Sequence, residues 1–149
     1  MKIRKTIVPL AAVIRPQQLG AEDVAKSGWF DVSQIDAVSA VLQAGALDGA
    51  EVVFSFEKAK AGADGAADEG TKAAIEDWTG ATLTVDGSKE QVDNETGTLG
   101  EDFKFVRLLA TSDDGGEPTV AASMLGYSPR YTDDFTAAGA DTVGTGPAP

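Results

Sequence analysis

The chain has 149 residues, 42% of them hydrophobic, which suits a single domain with a real core. Its 12 basic residues stand against 24 acidic ones, a net charge of −12 that repels phosphate backbones and argues against a nucleic-acid partner. Cysteine and histidine are both absent, which excludes disulfides, thiolate or imidazole metal ligands and the usual nucleophile–histidine relays. The expectation is a protein that is not an enzyme and takes no cofactor and no metal.

The start, "MKIRKTIVPLAAVIRPQQLGA", imitates a secretory signal, with a basic beginning followed by an apolar run. The run over 6–14 is short, contains Pro9 and ends at Arg15 rather than at a small-residue cleavage site, so it reads as part of the mature protein. Nothing approaches the ~20 apolar residues of a membrane span, and no membrane partner is expected. Lys2, Arg4, Lys5 and Arg15 are the charges of this segment, and no acid accompanies them. A basic, apolar segment on an acidic body reads as an arm over 1–27 that could lie on an acidic surface. It reads equally as an edge strand guarded by its lysines, and the two readings are compatible.

Next, "GWFDVSQIDAVSAVLQAG" fits either a helical stripe or a strand; its β-branched Val32, Ile35, Val38 and Val41 favour a strand over 37–43. "EVVFSFEKA" alternates cleanly, with Val52, Phe54 and Phe56 facing one way, and predicts a half-buried strand. "GADGAADEG" is too small and acidic to pack and predicts a mobile loop. "TKAAIEDWTG" predicts a short helical turn with Ile75 and Trp78 on one side, Trp78 serving as a core or loop anchor. Asp86-Gly87 lies between two alternating segments and predicts a type I′ hairpin.

"DFKFVRLLAT" is the strongest strand. Its aromatic pair Phe103 and Phe105 is out of phase with Val106, Leu108 and Ala110, so it holds a bulge or is buried on both sides. "TVAASMLGY" is its expected antiparallel partner, with "SDDGGE" as the hairpin loop between them, its glycines supplying positive φ and its carboxylates hydrated. That loop lacks the alternating ligands of a calcium loop, while "DNETG" over 93–97 alternates Asp93 and Glu95 but is too short. The tail over 132–149, ending in Gly-Pro-Ala-Pro, reads as loose. About seven short strands with turn signals between them make an all-β chain, an antiparallel β-sandwich over 28–131 that is jelly-roll-like, with an extended N-terminal arm and a loose C-terminal tail.

With so many acids, some carboxylate pair always meets a glycosidase spacing by chance, so acid counting selects nothing. No phosphate-cradling glycine motif is present. The functional surface expected is one for protein contact, where aromatics and arginines dominate the energy. Phe30 and Arg107 read as structural, Phe30 plugging the sandwich and Arg107 pairing with an acid of the neighbouring strand. Trp29, Arg130 and Tyr131 read as contact residues, together with the arm residues Lys2, Ile3, Arg4, Lys5, Ile7, Val8, Leu10 and Arg15.

Three stretches, "MKIRKTIVPLAAVIRPQQL", "GWFDVSQIDAVSAVLQAGAL" and the pair "DFKFVRLLATSDD" and "TVAASMLGYSPRY", occur together in an order that resembles small structural proteins of tailed bacteriophages, encoded near the major capsid protein. The residues that carry the resemblance are Lys2, Arg4, Pro9, Gly28, Trp29, Asp31, Gly45, Phe105 to Leu108, Gly126, Pro129 and Arg130. In the middle, "KAKAGADGAADEG" departs from the group's pattern. The resemblance implies a virion component made in the host cytoplasm: a head decoration or auxiliary capsid protein on the capsid exterior. Its expected partners are the major capsid protein and further copies of itself, as a homo-oligomer around a symmetry axis of the shell. The rival readings are a head–tail connector or tail protein, and a carbohydrate- or receptor-binding module that uses Trp78, Trp29 or Tyr131 as a stacking platform.

Overall fold

The structure, a computed structural model, describes residues 6–128. Ten strands run through them: β1 (Thr6–Gln18), β2 (Val24–Lys26), β3 (Phe30–Asp31), β4 (Ala37–Ala44), β5 (Val52–Lys60), β6 (Ala73–Ala74), β7 (Ala81–Leu83), β8 (Lys89–Glu95), β9 (Phe103–Ser112) and β10 (Thr119–Ser128). One sheet has the order β1-β10-β4-β8; the other has β2-β9-β5-β6, with β3 also on β9 and β7 also on β5. All of these pairings are antiparallel. The connections from β2 to β3 and through β5, β6 and β7 stay in one sheet, and every other connection crosses to the opposite sheet. Counting β2 with β3 and β6 with β7 leaves the eight-stranded, doubly Greek-key arrangement of a jelly roll.

Alternation builds the core. Val38, Ala40 and Leu42 of β4, with Val120, Ala122 and Met124 of β10, are buried and face Val52, Phe54 and Phe56 of β5 and Val106, Leu108 and Ala110 of β9. Phe54 of β5 is 1% exposed and is among the largest fully buried side chains. The strand over 37–43 is therefore correct and extends to Ala44.

β1 is the edge strand of its sheet, paired with β10 from Thr6↔Ser128 to Gln18↔Thr119. The edge-strand reading thus describes residues 6–18. Pro9 and Pro16 lack the N–H that a central strand needs on both sides, and an edge tolerates them. The register shifts between Leu10 and Ile14 and again between Ile14 and Gln17, which marks extra residues that twist an edge away from further pairing. Val13, Ile14 and Leu19 are buried in the sandwich core.

Four local expectations are corrected. The segments flanking Asp86-Gly87 form no hairpin: β7 pairs with β5 and β8 with β4, in opposite sheets. Gly87 does take a positive φ of 74°, and its N–H donates to the Gly45 carbonyl while Asp86 Oδ1 accepts from Leu47 N, so the turn fastens the β4–β5 corner. β9 and β10 are likewise not partners, because the connection through "SDDGGE" crosses between sheets. Its glycines serve close approach rather than positive φ: a Cβ on Gly116 would lie 2.0 Å from the Asp48 carbonyl oxygen, and one on Gly115 would lie 2.7 Å from that of Gly49. The positive φ falls instead on Asp48 and Gly49 across the corner. The stretch with Ile75 and Trp78 makes β6 and a turn rather than a helix, although both side chains are buried as expected.

The acidic loop after β5 is tied down. Ala61 bridges Ala67, Asp68 Oδ1 accepts from Gly70 N at 2.9 Å, and Thr71 Oγ1 accepts from Lys60 N at 2.9 Å, closing a 3-10 turn over Glu69–Thr71. Packing against β5 gives this loop the anchorage that its own composition lacks.

Candidate functional site

Two places hold the residues expected to make contacts, and they lie on different sheets. The first is the β1 edge. Ile7, Val8 and Leu10 stand opposite Tyr127, Gly126 and Met124 of β10, and Arg15 is exposed further along the strand. Lys2, Ile3, Arg4, Lys5, Arg130 and Tyr131 lie outside the described residues, as does the tail over 132–149.

The second is built around Arg107. The β5–β9 register places Arg107 directly opposite Glu57 on the outer face of the sheet, so the expected pairing with a neighbouring strand's acid is present. Arg107 Nε donates to Glu57 Oε1 at 2.8 Å, and Nη1 donates to Glu69 Oε2 at 2.8 Å. Trp29, in the link between β2 and β3, lays its ring over the guanidinium at 4.3 Å and donates its indole N–H to Glu69 Oε2 at 2.6 Å. Arg107 is 5% exposed although it points away from the core, because Trp29 and the turn holding Glu69 cover it. A planar guanidinium suits this position, since it offers forked donors at its rim and a face for stacking.

Electrostatics follows from that geometry. The Trp29 indole hydrogen bond, reinforced by the Arg107 charge, holds the Glu69 carboxyl below its ordinary range. Glu69 itself is exposed and also meets Lys72 at 3.8 Å, so solvent screens much of this. The sequence pointed to an acid on a neighbouring strand for Arg107. It held no signal for Glu69, which reaches the cluster from a loop 38 positions away in sequence.

Trp78 is 7% exposed and stands edge-on to Phe56 with ring centroids 5.1 Å apart. Its N–H donates to the Glu95 carbonyl at 3.1 Å and to Thr98 Oγ1 at 3.2 Å. It is a core anchor, too buried to offer a stacking platform to a sugar. Among the described residues no group of three or more acids is placed to hold a metal ion. In "SDDGGE", Asp113 Oδ1 accepts from Glu51 N at 3.1 Å and from Gly115 N at 2.9 Å, which makes it a cap for the corner.

The fold defines the class, a jelly-roll β-sandwich. No family model and no curated protein matches the chain. Among solved structures, a chain of infectious bursal disease virus, Gt strain, superposes with a TM-score of 0.50 at 11% identity, covering 85% of this chain and 32% of that one. The Gx strain gives a TM-score of 0.47 at 12% identity, covering 85% of this chain and 34% of that one. A family 11 carbohydrate-binding module from Clostridium thermocellum gives 0.38 at 12% identity, covering 83% of this chain and 82% of the module. The chain spans about a third of the length of the virus chains it matches. At such identities the likeness shows the fold alone.

Proposed function

We propose that this chain is a non-catalytic structural component of a virus particle, a decoration protein that binds the outside of a tailed-phage head and bridges neighbouring subunits of the shell. The fold-level likeness to a chain of infectious bursal disease virus supports a virion role, and the motif resemblance supports the narrower assignment. The observation that carries the reading is the placement of the N-terminal segment. The basic residues Lys2, Arg4 and Lys5 lead directly into β1, whose outer edge has no strand beside it among the described residues. Its prolines and register shifts guard that edge against an added strand, so the contact proposed there is made by side chains, and neighbouring positive charge orients an acidic partner. Each copy needs only a modest interface, because a shell repeats its sites and linked weak contacts multiply.

The experiment is occupancy of purified shells by wild type and by a variant with Lys2, Arg4 and Lys5 changed to Glu. Truncation past Thr6 is the wrong tool, since it removes a strand of the sandwich. Decoration predicts saturable binding in hundreds of copies per shell, lost in the charge-reversed variant. A dozen copies at one vertex would support the head–tail connector instead, and failure of the wild type to bind shells would overturn the virion reading.

A further inference from the structure

One end of the sandwich carries a feature unlike the rest of this acidic surface. Lys58 and Lys60 project from the end of β5, with Nζ atoms 4.4 and 5.2 Å from the centroid of the Phe103 ring. The register then slips: Ala59 pairs with Phe105 and Lys60 with Phe103, so Lys104 has no partner residue on β5. A bulge of this kind re-aims a side chain. Here Lys104 joins Lys60, Ala61 and Asp102 around a depression of about 260 Å³.

The cations there are not equally engaged. Lys58 donates to the Leu99 carbonyl at 2.6 Å. Lys60 and Lys104 form no ion pair among the described residues, whereas Arg107 is closed by two carboxylates and Lys72 by one. Two ammonium groups lie over the Phe103 ring and repel each other, and one of them, that of Lys60, lines the hollow together with Lys104, where Asp102 is the lining acid. An incoming anion would relieve that repulsion.

We infer that this depression binds a carboxylate side chain presented by an acidic segment of a partner protein. Its volume falls just below the usual range for small-molecule pockets, about 300–1,000 Å³, and suits one or two side-chain carboxylates. Lysine ammonium groups recognise such a group as point charges. A long polyanion would face the repulsion of the whole chain's net charge of −12, while a short acidic segment meets chiefly the local charges, Lys60 and Lys104 set against Asp102. The inference stands on this end of the sandwich and does not depend on the virion reading.

The test is NMR titration of the full-length, isotope-labelled protein at low ionic strength with acetyl-tetraglutamate amide. The tetraglutamine peptide and inorganic phosphate serve as separate arms. Saturable amide shifts confined to residues 58–61 and 100–105 are expected from the glutamate peptide alone. The K60Q/K104Q variant should weaken them about tenfold, the effect of roughly 1.4 kcal/mol, and the K26Q/K89Q variant should leave them unchanged. Lys58 is left in place because its bond to Leu99 is structural. Equal response to tetraglutamine, a preference for phosphate, shifts spread over the surface, or an equal loss in K26Q/K89Q would each overturn the proposal.

Discussion

The outer faces of the two sheets differ in how they are finished. On the β1-β10-β4-β8 sheet, the two central strands, "AVSAVLQA" and "TVAASMLGYS", contain no charged residue, and their outward positions are Ala37, Ser39, Val41, Gln43, Thr119, Ala121, Ser123, Leu125 and Tyr127. On the other sheet the central strands place Glu57 opposite Arg107, and a tryptophan and a loop glutamate close over them. An uncharged face stays regular without help. A buried cation needs partners, and gathering them fixes the loops that supply them. The difference shows why a glycine-rich acidic loop can be ordered on one side of the molecule.

The largest effect should come from removing what both faces rest on. Phe54→Ala is expected to cost about 3–5 kcal/mol in a denaturant melt, because it empties a fully buried position between the sheets. Arg107→Ala should cost less, about 1–3 kcal/mol, because Glu57 and especially Glu69 can rehydrate once the cation is gone. It should also raise hydrogen exchange across residues 61–72, while Ser123→Ala on the opposite face stays within about 0.5 kcal/mol and changes no exchange rates.

Acidification tests the same contrast more finely. Glu69 is shifted downward in the folded state, so its stabilising contribution is fully present above the ordinary carboxylate range. That contribution fades as pH falls through the lowered folded value. Trp29→Phe keeps a ring over Arg107 but deletes the indole donor, so the Glu69 titration should move back up toward the ordinary value in carboxyl NMR. The smallest expected change is Leu125→Gln. Leu125 is 40% exposed on the uncharged face, and its replacement should leave stability within about 0.5 kcal/mol.

Much of the fold was legible because it follows from period-two alternation. Val52, Phe54 and Phe56 declared their strand, while the phase slip at Phe105 left a bulge or two-sided burial open, and the β5 register shows a bulge. Pairing was less legible. "SDDGGE" and Asp86-Gly87 look like hairpin turns, since local chemistry requires only that the chain reverse. Whether the next strand rejoins the same sheet depends on long-range packing, and in a jelly roll most connections cross. An acid on a neighbouring strand was expected for Arg107, but its identity as Glu57 came only with the β5–β9 register. Glu69 and the lysine end were not legible, because the first comes from a loop without periodicity and the second needs the β5–β9 register to bring Lys60 and Lys104 together.

The pairing of β1 with β10 has a consequence for synthesis. The first described strand finds its backbone partner only in the last one, so during translation the segment with Val13 and Ile14 must wait, unzipped, for nearly the whole chain to emerge. Closure of that sheet is a late event governed by the most distant strand pairing among the described residues, and folding should be slow, on the ms–s scale of non-local β topologies. Until then the nascent protein exposes an apolar ribbon, which makes the ribosome-bound stage its period of greatest vulnerability to aggregation.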